Sequence, residues 1–153
     1  MANLDSFYVR WTPRLLSVLR IITAFLFIAH GAQKLFGFLA PAAQRAASPP
    51  LLSMIGVAGA LEFFGGLLLL VGLFTRPTAF IMSGLMAVAY FMAHAPQGFW
   101  PLQNKGELAV LYSFVFLFLA VAGGGEWSVD RLLRRDTAGD LYGTGGNSAR
   151  GVA

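Results

Sequence analysis

Five ionisable side chains lie inside or at the edges of long apolar runs: His30, Lys34, Glu62, His94 and Glu107. At the centre of a membrane helix such a group costs about 2.5 to 3.5 kcal/mol unless it meets water, protein or a counter-charge, so a chain that carries several retains them for a purpose. His30 and Lys34 are four residues apart, which on a helix puts them on one face and about 6 Å apart along the axis. Glu62 falls about 16 Å below the start of the next run at Leu51, near the depth of His30, so its natural counter-ion is on the first helix. His94 closes the third run and Glu107 opens the fourth, at the same end of the bundle.

Histidines beside carboxylates can hydrogen-bond a quinone-type carbonyl oxygen and take up or deliver the accompanying proton. On this reading His30 and Glu62 carry the chemistry, while Lys34, His94 and Glu107 bind the substrate. The competing reading makes Lys34 and Glu62 a neutralised structural pair, with His94 and Glu107 among the headgroups and the longer side chains snorkelling. A haem on His30 and His94 would require matching depths, and the spacing puts His30 about two turns deeper. A mixed His/Glu metal site lacks any diagnostic spacing. No metal is therefore assigned, and a quinone is the small electron carrier that suits the site.

The elements that must hold these residues are apolar. Of the 153 residues 57% are hydrophobic and 12% charged, with a mean hydropathy of +0.68. Soluble domains carry about 45 to 50% apolar and about 25% charged residues, so lipid is the solvent. The 14 Phe and 18 Gly agree with that, since Phe suits acyl chains and Gly admits close helix approach. The net charge of +4 comes from basic residues that stand singly beside apolar runs. They form no groove-sized patch, which excludes nucleic acid as a partner. With no cysteine the chain can form no disulfide, thiolate metal site or thiol relay of its own.

Four apolar runs, about residues 15–38, 51–74, 77–95 and 106–123, predict an all-α membrane protein, an antiparallel four-helix transmembrane bundle. The fourth run reaches bilayer length only with its flanking glycines in the interface. Residues 1–14 read as a cytoplasmic N-terminal segment, 15–125 as the transmembrane domain and 126–153 as an interfacial cap with a flexible cytoplasmic tail. Arg10 and Arg14 before an apolar stretch resemble a signal peptide, but the run continues past Arg20 to Phe38, so it reads as a retained helix. The connector over residues 41–50 carries Arg45, and Thr75-Arg76-Pro77 is a turn with Pro at the start of the next helix.

Arg10, Arg14, Arg20, Arg76, Arg131, Arg134, Arg135 and Arg150 fall on one side, against Lys34, Arg45 and Lys105 on the other. The bias predicts cytoplasmic N- and C-termini, with the five ionisable groups in the outer half of the bundle. Arg76 reads as a topology anchor, and Arg20, though deeper, can snorkel to the cytoplasmic face. Ala29-His30-Gly31-Ala32-Gln33 is echoed by Ala93-His94-Ala95-Pro96-Gln97, and each following helix carries a glutamate. Such an echo is compatible with two pseudo-symmetric hairpins.

The order of these pieces resembles the DoxX family of small bacterial and archaeal membrane proteins. The likeness covers about residues 20–132: Arg20, His30-Gly31, Lys34-Leu35-Phe36-Gly37, Gly59 and Glu62 with Gly65-Gly66, Gly72-Leu73-Phe74-Thr75-Arg76, His94 with Gly98-Phe99, Glu107, and the stretch from Gly125 to Asp130. The resemblance implies a four-helix bundle in the bacterial inner membrane. It also implies association with thiosulfate:quinone oxidoreductase, as its membrane subunit, or with membrane complexes of oxidative-stress defence. His30, Lys34, Glu62, His94 and Glu107 are the polar positions carried over. Relatives that use membrane-embedded dithiols differ from this Cys-free chain, so sulfur chemistry would belong to a redox partner protein. Two other classes stay open: a small proton-coupled transporter using the same charged pocket, and a non-catalytic anchor for a soluble partner. A homo-oligomer is compatible with each.

Overall fold

The computed structural model describes residues 2–38, 40 and 50–134; the connector with Arg45 and the tail beyond Arg134 lie outside the described residues. Helix α1 spans Ala2–Phe36, α2 Met54–Val71, α3 Thr75–Ala89, the short α4 Pro101–Asn104 and α5 Glu107–Ala122. A π-helical turn, Tyr90–His94, and a 3-10 turn, Ala95–Gln97, prolong α3. No strand occurs among the described residues. Leu4–Phe36, Met54–Val71 and Thr75–Gln97 are long and apolar enough to cross a membrane, and α5 is a shorter apolar helix. Residues 2–14 are helical and continuous with the first span through Pro13.

The helices pack chiefly as two pairs, α1 with α2 and α3 with α5. Phe27, Leu69, Met82 and Phe116 are almost wholly buried between them, and the rings of Phe27 and Phe116 meet edge to face at 4.7 Å. Phe25, Phe64, Phe80, Phe114 and Phe118 point outward and are exposed, as an apolar surface bathed in acyl chains requires. Between α1 and α2 the backbones touch. A Cβ on Gly31 would lie 2.5 Å from the amide nitrogen of Phe63 and 2.9 Å from the carbonyl oxygen of Gly59. No side-chain rotation could relieve that contact, so only glycine permits this separation.

One end of the bundle is tied together through its backbone groups. Gly72, at φ 74°, closes α2. Its N–H donates to the carbonyls of Leu68 and Leu69, and the N–H of Leu73 donates to Leu68 at 3.0 Å, a Schellman arrangement. Helix α3 then begins with no side-chain cap of its own. Asp130, far along the chain, supplies one: Oδ1 accepts from the N–H of Phe74 and Oδ2 from that of Thr75, each at 2.8 Å. The carboxylate thus satisfies two orphan donors and faces the positive end of the helix dipole. Asp130→Ala is expected to lower stability by about 1 kcal/mol, the usual cost of losing a cap. Thermal unfolding in detergent reads this directly, and Asp130→Asn should recover part of the loss.

Arg20 corrects the expectation of snorkelling. Its side chain is fully buried. Nε donates to the carbonyl of Gly124 at 2.9 Å, Nη1 to those of Leu70 at 2.9 Å and Leu69, and Nη2 to that of Trp127 at 2.5 Å. The guanidinium turns inward because the last turn of α2 and the 124–127 loop offer carbonyls that lipid cannot hydrate. The same loop clamps α1. Glu126 donates its N–H to the Pro13 carbonyl at 3.0 Å, its carboxylate pairs with Arg14 at 2.9 Å, and the N–H of Trp127 donates to Ser17 Oγ at 2.9 Å.

Candidate functional site

At the other end of the bundle a cavity of about 250 Å³ opens among four helical elements and a loop. Its polar lining is His30 and Lys34 from α1, Glu62 from α2, His94 from the π-turn, Lys105 from the loop before α5, and Tyr112 from α5. The structure therefore brings together four of the five ionisable residues singled out in the sequence. Glu107 is not among them: it starts α5 and is exposed, where a carboxylate favours the helix dipole.

Glu62 is the most enclosed of these groups, with its side chain 2% exposed. Lys34 Nζ donates to Oε1 at 2.5 Å. The close approach at Gly59 makes this contact possible, since a Cβ there would sit 2.9 Å from the Lys34 Cβ. Oε2 is buried with no hydrogen-bond partner among the described residues. A buried acceptor left unmatched costs about 1 to 3 kcal/mol, so this lining carboxylate keeps one unused oxygen.

The two histidines differ in preparation. His94 is half-buried and its Nδ1 lies 3.0 Å from the carbonyl oxygen of Asn104. A carbonyl only accepts, so Nδ1 carries the proton and Nε2 of the neutral ring is the acceptor. The π-turn, with its wider spacing, aims this ring off the α-helical path, a device common at functional sites. Asn104, 1% exposed, fixes the loop that holds it. Its Nδ2 donates to the Gly98 carbonyl at 2.6 Å and its Oδ1 accepts from the Gly106 N–H at 2.8 Å. His30 lies edge-on to Tyr112 with ring centres 6.1 Å apart. It makes no hydrogen bond among the described residues. His30 and His94, assigned different depths from sequence, line one cavity.

Two lysines against one glutamate leave this site a net charge of +1 with neutral histidines. Such a pocket favours an anionic or carbonyl-rich guest. Among the described residues no three His, Asp or Glu side chains gather as a metal centre would require.

Sequence reasoning missed Lys105, Tyr112 and Asn104. For Tyr112 a signal existed: Ala109, Tyr112, Phe116 and Leu119 are the buried residues of α5, spaced as one helix face. Glu107 falls off that stripe. Asn104 carried no comparable signal, because its role depends on loop closure. The echo between the two halves is matched by the histidines, which share the cavity, but not by the glutamates, which do not.

The DoxX family model matches residues 15–95, a segment that includes His30, Lys34, Glu62 and His94 and stops before Lys105 and Glu107. An uncharacterized protein of Haemophilus influenzae is 43% identical over 135 residues, covering 85% of this chain and 96% of its own length. The inner membrane protein YqjF of Escherichia coli is 34% identical over 120 residues, covering 77% and 91%. The inner membrane protein YphA of the same organism is 30% identical over 132 residues, covering 78% and 90%. No solved structure matches the chain. With four apolar helices, a family model spanning more than half of its length and relatives matched nearly end to end, the chain belongs to the DoxX family of multi-pass membrane proteins.

Proposed function

We propose that this chain is the membrane subunit of a quinone-linked oxidoreductase in the bacterial cytoplasmic membrane, with both termini cytoplasmic and the cavity in the outer half of the bundle. The observation that carries the reading is the buried, unpartnered Oε2 of Glu62 inside a cavity that also holds two histidines. The cavity, about 250 Å³, lies just under the usual 300 to 1,000 Å³ range for ligand sites, which suits a ring headgroup whose tail runs into lipid.

Oxidation of a quinol releases two protons and two electrons. Glu62 Oε2 and His94 Nε2 are acceptor atoms left unused by two residues that line the cavity, and each takes a hydroxyl proton. Both electrons pass to a redox partner protein, since a chain without cysteine has no thiol couple to receive them. In the reverse direction the same groups return the protons. Lys34 Nζ occupies Oε1 of Glu62 and leaves Oε2 as the unused oxygen, and Lys105 draws electron-rich oxygens toward the mouth of the site.

The test titrates the purified chain in neutral detergent with a short-tailed benzoquinone, read by quenching of aromatic fluorescence. Glu62→Gln and His94→Ala are expected to weaken binding about tenfold to a hundredfold, the worth of one lost polar contact to a buried site, while still unfolding cooperatively. Unchanged binding in both variants would overturn the quinone reading. Loss of solute uptake into proteoliposomes with quinone binding intact would establish the transporter alternative in its place.

A further inference from the structure

A second polar cavity, of about 220 Å³, lies at the Arg20 end, away from the Glu62 site, and is lined by Arg76, Arg131 and Arg134 around Gly123, Ser128 and Asp130. Arg131 and Arg134 are three residues apart within the helical stretch 129–134, a spacing that puts both guanidinium groups on one face. Arg76 comes from the start of α3. Its Nη1 donates to the Val121 carbonyl at 2.6 Å, and its Nε and Nη2 lie 3.5 Å from where a Cβ on Gly123 would stand. The absence of a side chain at Gly123 leaves that part of the guanidinium open to the cavity.

The carboxylates nearby are already occupied. Both oxygens of Asp130 serve the N–H groups of Phe74 and Thr75, and Glu126 pairs with Arg14. Among the described residues none of the three cavity arginines has an ion-pair partner. Three arginines against one aspartate leave this cavity with a net charge of +2. Setting membrane topology needs only charge near the end of a span. It does not need three guanidinium groups converging on one hollow with their local carboxylate engaged elsewhere. Planar guanidinium forks match the oxygens of phosphate in bidentate fashion.

We infer that this cavity is a binding site for a phosphate oxyanion, separate from the Glu62 site, with the three arginines as its donors. The phosphate can belong to an anionic phospholipid headgroup or to free phosphate, and the two sources are separable. Full-length protein, stripped of lipid in neutral detergent, would be titrated with phosphatidylglycerol, with an uncharged diacylglycerol of the same chains, and with inorganic phosphate. Native mass spectrometry and thermal shift would be read together.

Phosphatidylglycerol is expected to bind and to raise Tm by several degrees, the diacylglycerol to do neither, and the double variant Arg131→Gln/Arg134→Gln to weaken the lipid at least tenfold. Arg10→Gln, which removes a cation elsewhere, should leave binding unchanged. Saturable binding of inorganic phosphate with the same loss in the double variant also supports the site and assigns it to a soluble ligand. Lipid binding that is equal in the double variant and the parent, or no binding of either probe, overturns the proposal. Arg134 is exposed, so the single Arg134→Gln variant keeps the measurement available if the double variant does not purify.

Discussion

Arg20→Ala is expected to cost about 3 kcal/mol or more and to place the thermal midpoint well below that of Asp130→Ala, because four carbonyls each lose a guanidinium donor at once. Those carbonyls belong to the last turn of α2 and to the 124–127 loop, so one side chain joins α1 to both. Leu69 keeps the Gly72 N–H and Gly124 the more distant Ser17 hydroxyl, while the partly buried carbonyls of Leu70 and Trp127 lose the guanidinium that paired them. Arg20→Lys should recover little, since an ammonium has three donors on a point and cannot reproduce the spread of the guanidinium fork. Thermal unfolding in detergent orders the variants. An Arg20→Ala midpoint within a degree or two of the parent would show that the fork is dispensable.

The second large effect lies at the ion pair in the cavity. Lys34→Met should destabilise by about 3 to 5 kcal/mol, because it removes the charge partner of a carboxylate that is 2% exposed. Glu62→Gln should cost less. The Lys34 side chain is 35% exposed, so its ammonium can swing toward water once the carboxylate is gone. The double variant Lys34→Met/Glu62→Gln should then be more stable than Lys34→Met alone, since no buried charge remains. Unfolding midpoints of the four proteins complete the cycle, and additive losses would mean the two groups are energetically independent. The outcome also bears on function: a pair that is neutral to remove for stability, yet needed for quinone binding, is held for chemistry.

That Lys34 and His30 share a face follows from their spacing alone, and that Glu62 lies at a similar depth follows from helical rise. Both are local properties. The charge partner across the helix interface could be anticipated, but the 2.5 Å contact depends on how closely α1 and α2 approach, and that distance is decided by Gly31 and Gly59, where any side chain would collide with the facing helix. Arg20 was legible as a cation too deep for an anchor. That it would serve backbone carbonyls rather than reach for headgroups was not, since its acceptors are about 50 and more than 100 residues away in the chain and hydropathy carries no record of them.

The amino-acid sequence by itself determined the solvent, the helical class, the apolar runs and the identity of His30, Lys34 and Glu62 as residues of one neighbourhood. Composition and helical period are short-range quantities, and lipid leaves helices as the natural way to satisfy each backbone group within such runs. Only the tertiary structure decided which way each helix is turned about its axis. That rotation brought Tyr112 into the cavity and left Glu107 on the outside, although they share one helix. It also took a π-turn and a loop pinned by Asn104 to carry His94 and Lys105 to the same cavity. Rotation and loop closure are set by all interhelical contacts together, and no window of sequence contains them.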